Sequence, residues 1–290
     1  MKQIILALKM PHLKYSLLFG SCLLLLSWPV YACTIFTLIN SEHTLFCNNE
    51  DWKETETIIW FMPARQGAFS GKKKFGRAYV GFKNQWGQGG INTEGVAYDW
   101  VAWTKEEWNR KSHPDLKPLR GNPTERMLES CATTDEAIAF YKHYWEPGFS
   151  YGIILISDRT GKSVLIGAKN DELKFSISTQ SRGFGYGFKK NPKIFGGNPA
   201  PALKNASKIL KGALQEGQSG TKYSNVFDLK NGDIFIYRFP HQTEPVKLNL
   251  FDELKKGDHY YDIPVIEEQL SEKVKPISRF KEWLKKNKFF

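Results

Sequence analysis

The sequence predicts an α+β domain built on two antiparallel sheets, and three features predict it. Short β-branched and aromatic runs recur between polar turns, helical segments stand in blocks among them, and no repeat, low-complexity tract or Pro/Ser-rich linker interrupts the chain after residue 32. Strands this apolar need cover on both faces. With 290 residues, 41% hydrophobic and 24% charged, the chain can bury a full core without a disulfide framework.

Residues 1–32 carry Lys2, Lys9 and Lys14 and no acid, then an apolar stretch at 17–28, then Pro29-Val30-Tyr31-Ala32. This is the layout of a secretory signal peptide, with the small residues Val30 and Ala32 at positions −3 and −1 of the cut. Its apolar centre falls short of the roughly 20 residues that a membrane span needs. The expectation is therefore a periplasmic or secreted protein, a single domain over 33–290, with no stable membrane insertion once the signal is removed. Removal lowers the net charge from +11 to +8, with 38 basic and 30 acidic side chains left. A basic chain with 14% aromatic residues is compatible with an anionic partner, but after processing the excess no longer points to nucleic acid.

The elements follow in order. Residues 33–39 and 44–47 read as strands flanking the turn Asn40-Ser41-Glu42-His43. Extended segments are expected at 58–61 and 78–82, and 86–90 reads as a Gly-rich turn leading to a strand at 96–103. Asn122-Pro123-Thr124 and Thr133-Thr134-Asp135-Glu136 cap two short helices, over 125–128 and 137–144. Strands at 151–157 and 163–167 flank a turn at 158–162, and a third follows at 173–178. Residues 202–214 have helical spacing, and 226–239 form a hairpin around Lys230-Asn231-Gly232-Asp233. The last expected helix, 266–287, breaks at Pro276. The lysines of 273–290 read as its solvated face.

Cys33, Cys47 and Cys131 remain after processing, an odd number, so in an oxidising compartment at least one thiol lacks an intramolecular partner. Cys33 admits three readings. As the first residue it would carry thiol and α-amine together, the amine serving as base for the sulfur. As a lipoprotein cysteine it would instead carry diacylglycerol, against which bulky Tyr31 argues. It could also be an ordinary buried cysteine at the head of a strand. One hairpin on, Phe46-Cys47-Asn48-Asn49-Glu50-Asp51-Trp52 returns alongside it, and Asp51 is either a carboxylate orienting that amine or a turn residue. Trp60, Trp86, Trp100 and Trp103 read as pocket lining for an apolar acyl group or as core packing.

These residues resemble the choloylglycine hydrolase family of the N-terminal nucleophile superfamily. The resemblance rests on the Cys33-Thr34 start, Asn49-Glu50-Asp51-Trp52, and Gly90-Ile91-Asn92-Thr93-Glu94-Gly95-Val96, all within the first 70 or so mature residues. It implies an αββα fold, two stacked antiparallel sheets between helical layers. It further implies hydrolysis of a linear, non-peptide C–N amide bond (penicillin V, an N-acyl amino acid or a conjugated bile salt) through an acyl-thioester on Cys33. Asp51 matches the family's aspartate, and the backbone N–H of Ala102 one oxyanion donor. Asn198, or else Asn191, would supply the second. Two arginines of the family are missing: Asn48 stands three residues before Asp51, where substrate would be bound, and Lys204 is nearest to the other. Trp100 is the aromatic expected at the substrate. A homo-oligomer is compatible with the resemblance.

No Walker loop, dinucleotide Gly fingerprint or zinc-spaced His/Cys set is present, and His43, His113, His143, His241 and His259 are scattered. Neither cofactor nor metal is expected, and the expected partner is a small acyl-amide. The contrasting possibility is a tethered lipoprotein that binds rather than catalyses.

Overall fold

The computed structural model describes residues 33–66, 73–83, 87–238 and 244–271, all within a unit of Tyr31–Phe290. The signal segment, Trp86, His241 and the closing lysine-rich stretch lie outside the described residues.

The chain begins with strands β1 (Thr34–Ile39), β2 (Thr44–Asp51), β3 (Thr57–Met62), β4 (Arg65–Gln66), β5 (Lys73–Lys74), β6 (Arg77–Phe82), β7 (Gly87–Asn92) and β8 (Ala97–Ala102). Helices α1 (Pro123–Leu128) and α2 (Thr134–Tyr141) precede β9 (Gly152–Ser157), β10 (Ser163–Lys169), β11 (Glu172–Ser178) and β12 (Arg182–Gly185). Then come α3 (Tyr186–Lys190), α4 (Leu203–Gly212), β13 (Thr221–Asp228), β14 (Asp233–Tyr237), β15 (Val246–Asn249), α5 (Leu250–Lys255), β16 (His259–Asp262) and α6 (Ile266–Ser271).

Six strands in the order β12-β1-β2-β13-β14-β15 form one antiparallel sheet, and eight in the order β11-β10-β9-β8-β7-β6-β3-β16 form the other. Strand alternation explains the layering. In β1 and β2 the side chains of Ile35 and Phe46 enter a core shared with Ile59, Val80 and Leu155 of the larger sheet. Their neighbours Phe36, Leu38 and Cys47 face the other way, onto Ala206, Ile209 and Leu210 of α4. The outer face of the larger sheet, with Tyr98 and Ile156, packs on Met127 and Leu128 of α1 and Ile138 and Tyr141 of α2. Helix, sheet, sheet, helix is the expected αββα order. Each fully buried aliphatic or aromatic side chain in these layers contributes about 1.5–3 kcal/mol relative to exposure.

Within the expected turn at 86–90, residues 87–90 instead belong to the strand β7, paired with both β6 and β8. Its glycines are places where neighbours come too close for a side chain. A Cβ on Gly89 would sit 2.1 Å from Asp99 Oδ2, and one on Gly90 would sit 2.7 Å from the Ala78 carbonyl. The following Asn92 anchors the β7–β8 turn. Its Nδ2 donates to the carbonyls of Leu128 and Cys131, both at 2.8 Å, while Oδ1 accepts from the Glu94 and Val96 N–H groups. Gly95 completes that turn at φ +77°, a left-handed conformation that only glycine adopts without strain.

Candidate active site

Cys33 stands at the head of β1, where the β1–β2 register puts Thr34 opposite Asn49. The pairing returns β2's last two residues, Glu50 and Asp51, to Cys33. Asp51 is approached as the sequence suggested, and Glu50 was not anticipated. The period-two alternation Phe46, Asn48, Glu50 held the signal for it, because Phe46 faces the inter-sheet core.

The Cys33 thiol donates to Glu50 Oε1 at 3.6 Å and lies 3.9 Å from the Asp51 carbonyl oxygen. Burial pushes its pKa well up, and the nearby carboxylates of Glu50 and Asp51 push it further. Glu50 itself rises to about 8, chiefly through burial and then through the Asp51 charge, against hydrogen bonds from Asn48 and Cys33. Asp51 is held by Gln215 Nε2, which donates to Oδ2 at 2.5 Å, and by the Thr221 hydroxyl, which donates to Oδ1. Burial lifts Asp51 to about 6, opposed by those two bonds and by the Cys33 backbone N–H. That N–H belongs to the nitrogen that becomes the α-amine if the chain is cut before Cys33.

Cys33 has φ +67°, the left-handed region. A non-glycine residue pays roughly 1–2 kcal/mol there.

A cavity of about 230 Å³ is lined by Cys33, Glu50, Val101 and Ala102 together with the aromatic rings of Trp52, Phe82, Trp100 and Tyr151. Trp100 is seated by two small neighbours: a Cβ on Gly152 would lie 2.9 Å from its ring and one on Gly148 3.2 Å. It packs against Phe149 at a 5.3 Å centroid distance. Of the four tryptophans read either as pocket lining or as core packing, Trp100 lines the cavity. Trp60 is core, tilted against Tyr79, and Trp103 packs on Phe184. Trp52 lines the cavity as well, and its indole N–H, shut off from solvent, meets no acceptor among the described residues.

Three expectations need correction. Asn198 is exposed in the segment before α4 and does not line the cavity, because Gly196-Gly197-Asn198-Pro199 forms a surface turn with φ +60° and +119° at its glycines. Asn191 is also exposed, its Oδ1 accepting from the Lys193 N–H. Asn48 does not line the cavity either. It is buried between the sheets, where its Nδ2 donates to Glu50 Oε2 at 3.3 Å. Lys204 is exposed on α4.

Two stacked antiparallel sheets between helical layers are the αββα arrangement of the N-terminal nucleophile hydrolase fold. Solved structures share it. Penicillin V acylase from Agrobacterium tumefaciens superposes with a TM-score of 0.61 at 13% identity, over 80% of this chain and 91% of that one. A variant of conjugated bile acid hydrolase from Clostridium perfringens gives 0.60 at 13% identity, over 79% and 96%. No family model matches the chain, and no curated protein does. At this identity the likeness establishes the fold.

Proposed function

We propose that this protein is an exported N-terminal nucleophile amidohydrolase that cleaves a linear, non-peptide C–N amide bond through an acyl-thioester on Cys33. The observation that carries the reading is the position of Cys33. Its sulfur borders the aromatic cavity, and its backbone nitrogen stands by the Asp51 carboxyl, so cleavage before Cys33 would leave thiol, α-amine and orienting acid together. The left-handed strain at Cys33 supports such processing, since an N-terminal residue has no preceding carbonyl and hence no φ to constrain.

In this reading Cys33 Sγ attacks the amide carbonyl, the amine leaves, and the freed α-amine, oriented by Asp51, activates the water that releases the acid. The Ala102 backbone N–H is a candidate donor to the oxyanion. The cavity's four aromatic rings suit an apolar or aromatic acyl group such as that of penicillin V. Lipidation fits poorly, because the thiol turns inward against Glu50 rather than outward.

The test is turnover of a panel of penicillin V, conjugated bile salts, N-acyl amino acids and N-acyl homoserine lactones by the mature protein and by Cys33→Ser. Hydrolysis of at least one amide by the wild type, largely lost in a folded Cys33→Ser, is expected. Equal turnover by the two would sink the mechanism.

A further inference from the structure

Behind Cys33 the inter-sheet core is polar. Glu50 from β2 is joined there by Asn48 of the same strand, Asp99 of β8, and Tyr223 and Asn225 of β13, all buried. Asn48 pairs with Asn225 in the sheet register, and Tyr223 with Glu50. Among the described residues, the Tyr223 hydroxyl, Asn48 Oδ1 and the Asn225 amide have no hydrogen-bond partner. Buried polar groups are ordinarily satisfied, and unsatisfied ones cost free energy, so this cluster is maintained at the expense of stability. Within it Glu50 is the carboxyl that both touches the sulfur and borders the cavity.

We propose that Glu50 is a catalytic proton carrier for acylation, taking the thiol proton of Cys33 and returning it to the nitrogen of the leaving amine. The proposal rests on the amidohydrolase reading and extends it. The Glu50 carboxylate accepts the proton of Cys33 Sγ–H as the S–C bond forms and the carbonyl π pair moves to oxygen. When that pair returns, the C–N bond breaks, nitrogen takes the proton from Glu50, and a neutral amine departs. Thioester and carboxylate remain, so the step balances without another reactant. The α-amine is then left to activate the deacylating water.

The groups facing Glu50 fit this role. Asp51 adjoins it on the same strand and its charge disfavours a second negative charge. Burial, and then the Glu50 charge, push the carboxyl of Asp99, opposite on β8, well above the ordinary range, against a hydrogen bond from the Trp100 backbone N–H. Tyr223 stays a neutral hydroxyl, raised by burial and by the same carboxylates. Glu50 thus exchanges its proton at higher pH than an ordinary carboxyl, in the range where a carrier between thiol and amine is useful.

The experiment compares mature wild type, Glu50→Gln and Glu50→Asp on a matched amide and activated ester of one acyl group that the wild type accepts, alongside alkylation of Cys33 by iodoacetamide. An activated alcohol leaves without a proton and an amine does not, so leaving-group dependence separates proton delivery from structural damage. Glu50→Gln is expected to lose amide acylation by about 10²–10⁴-fold, the usual size of a general acid–base contribution. It should lose ester acylation and alkylation to a smaller extent, because both need the thiol proton taken and neither needs a proton delivered to the leaving group. Glu50→Asp should recover part of the amide rate and of its pH dependence. Equal loss on amide and ester, or an amide rate unchanged in Glu50→Gln, overturns the proposal; should Glu50→Gln not fold, Glu50→Asp with an unchanged amide-to-ester ratio does so. A wild type that alkylates and accepts the ester but hydrolyses no amide counts against the amidohydrolase reading and removes the basis for this one.

Discussion

Glu50 has a measurable thermodynamic signature that is independent of any substrate. Its carboxyl titrates near 4.5 in an unfolded chain and at about 8 here, and Asp51 moves from 3.8 to about 6. Both folded values are raised, so between the unfolded and folded pKa the native state binds more protons than the unfolded one. The sign follows: stability declines as pH rises from about 4 to about 8, the reverse of a salt-bridged carboxylate. At roughly 1.4 kcal/mol per pKa unit, Glu50 alone amounts to about 4–5 kcal/mol over that window and Asp51 to about 3 kcal/mol. Glu50→Gln removes the first contribution whatever the neutral side chain itself costs. Urea unfolding of the mature protein at a series of pH values should therefore show the variant gaining on wild type by about 4 kcal/mol between pH 4.5 and 8. With an m-value of about 2–3 kcal/mol/M, that is a relative midpoint shift of roughly 1–2 M. Parallel stability curves for the two proteins would refute the description of Glu50 as a buried acid with a raised pKa.

Other expectations are simpler. Gln215→Ala removes a donor that favours the Asp51 carboxylate, so the Asp51 pKa should rise above about 6, seen by carboxyl NMR titration of the mature protein. Asn92→Ala strips four hydrogen bonds from a buried turn and should cost about 2–4 kcal/mol in urea unfolding, without removing a cavity residue. Gly89→Ala should destabilise more than Gly212→Ala, because its Cβ would meet the Asp99 carboxyl whereas that of Gly212 has open space out to 3.8 Å; thermal unfolding of the two checks it.

How far the sequence reached depends on which physical signal each residue carried. The first hairpin was legible because β-branched and aromatic runs flank a polar turn, and its register then placed Asp51 beside Cys33. Two covered sheets followed from apolar strands that needed cover on both faces, whereas the four-layer αββα order was implied by the family resemblance. Strand β7 was not legible as a strand, since glycine's low strand propensity outweighed a pairing that becomes visible only when Asp99 and the Ala78 carbonyl are seen pressing on it. Asn198 was misplaced because Gly-Asn-Pro signals a turn equally well on the surface and at a site. Asn48 was valued for the arginine it replaces, yet its work lies in the core, on Glu50. The strands β12, β15 and β16 are short and only long-range pairing defines them, and the helices α3 and α5, of 5 and 6 residues, are too short to show a period.

The acyl-thioester on Cys33 is tested by the intact mass of the mature protein before and after brief exposure to an acyl-amide that it turns over, quenched in acid. The expected result is a chain beginning at unmodified Cys33 that gains one acyl group, mapped to the thiol of its N-terminal peptide. A chain that begins upstream of Cys33, carries a diacylglycerol there, or shows the acyl group on another residue would contradict it.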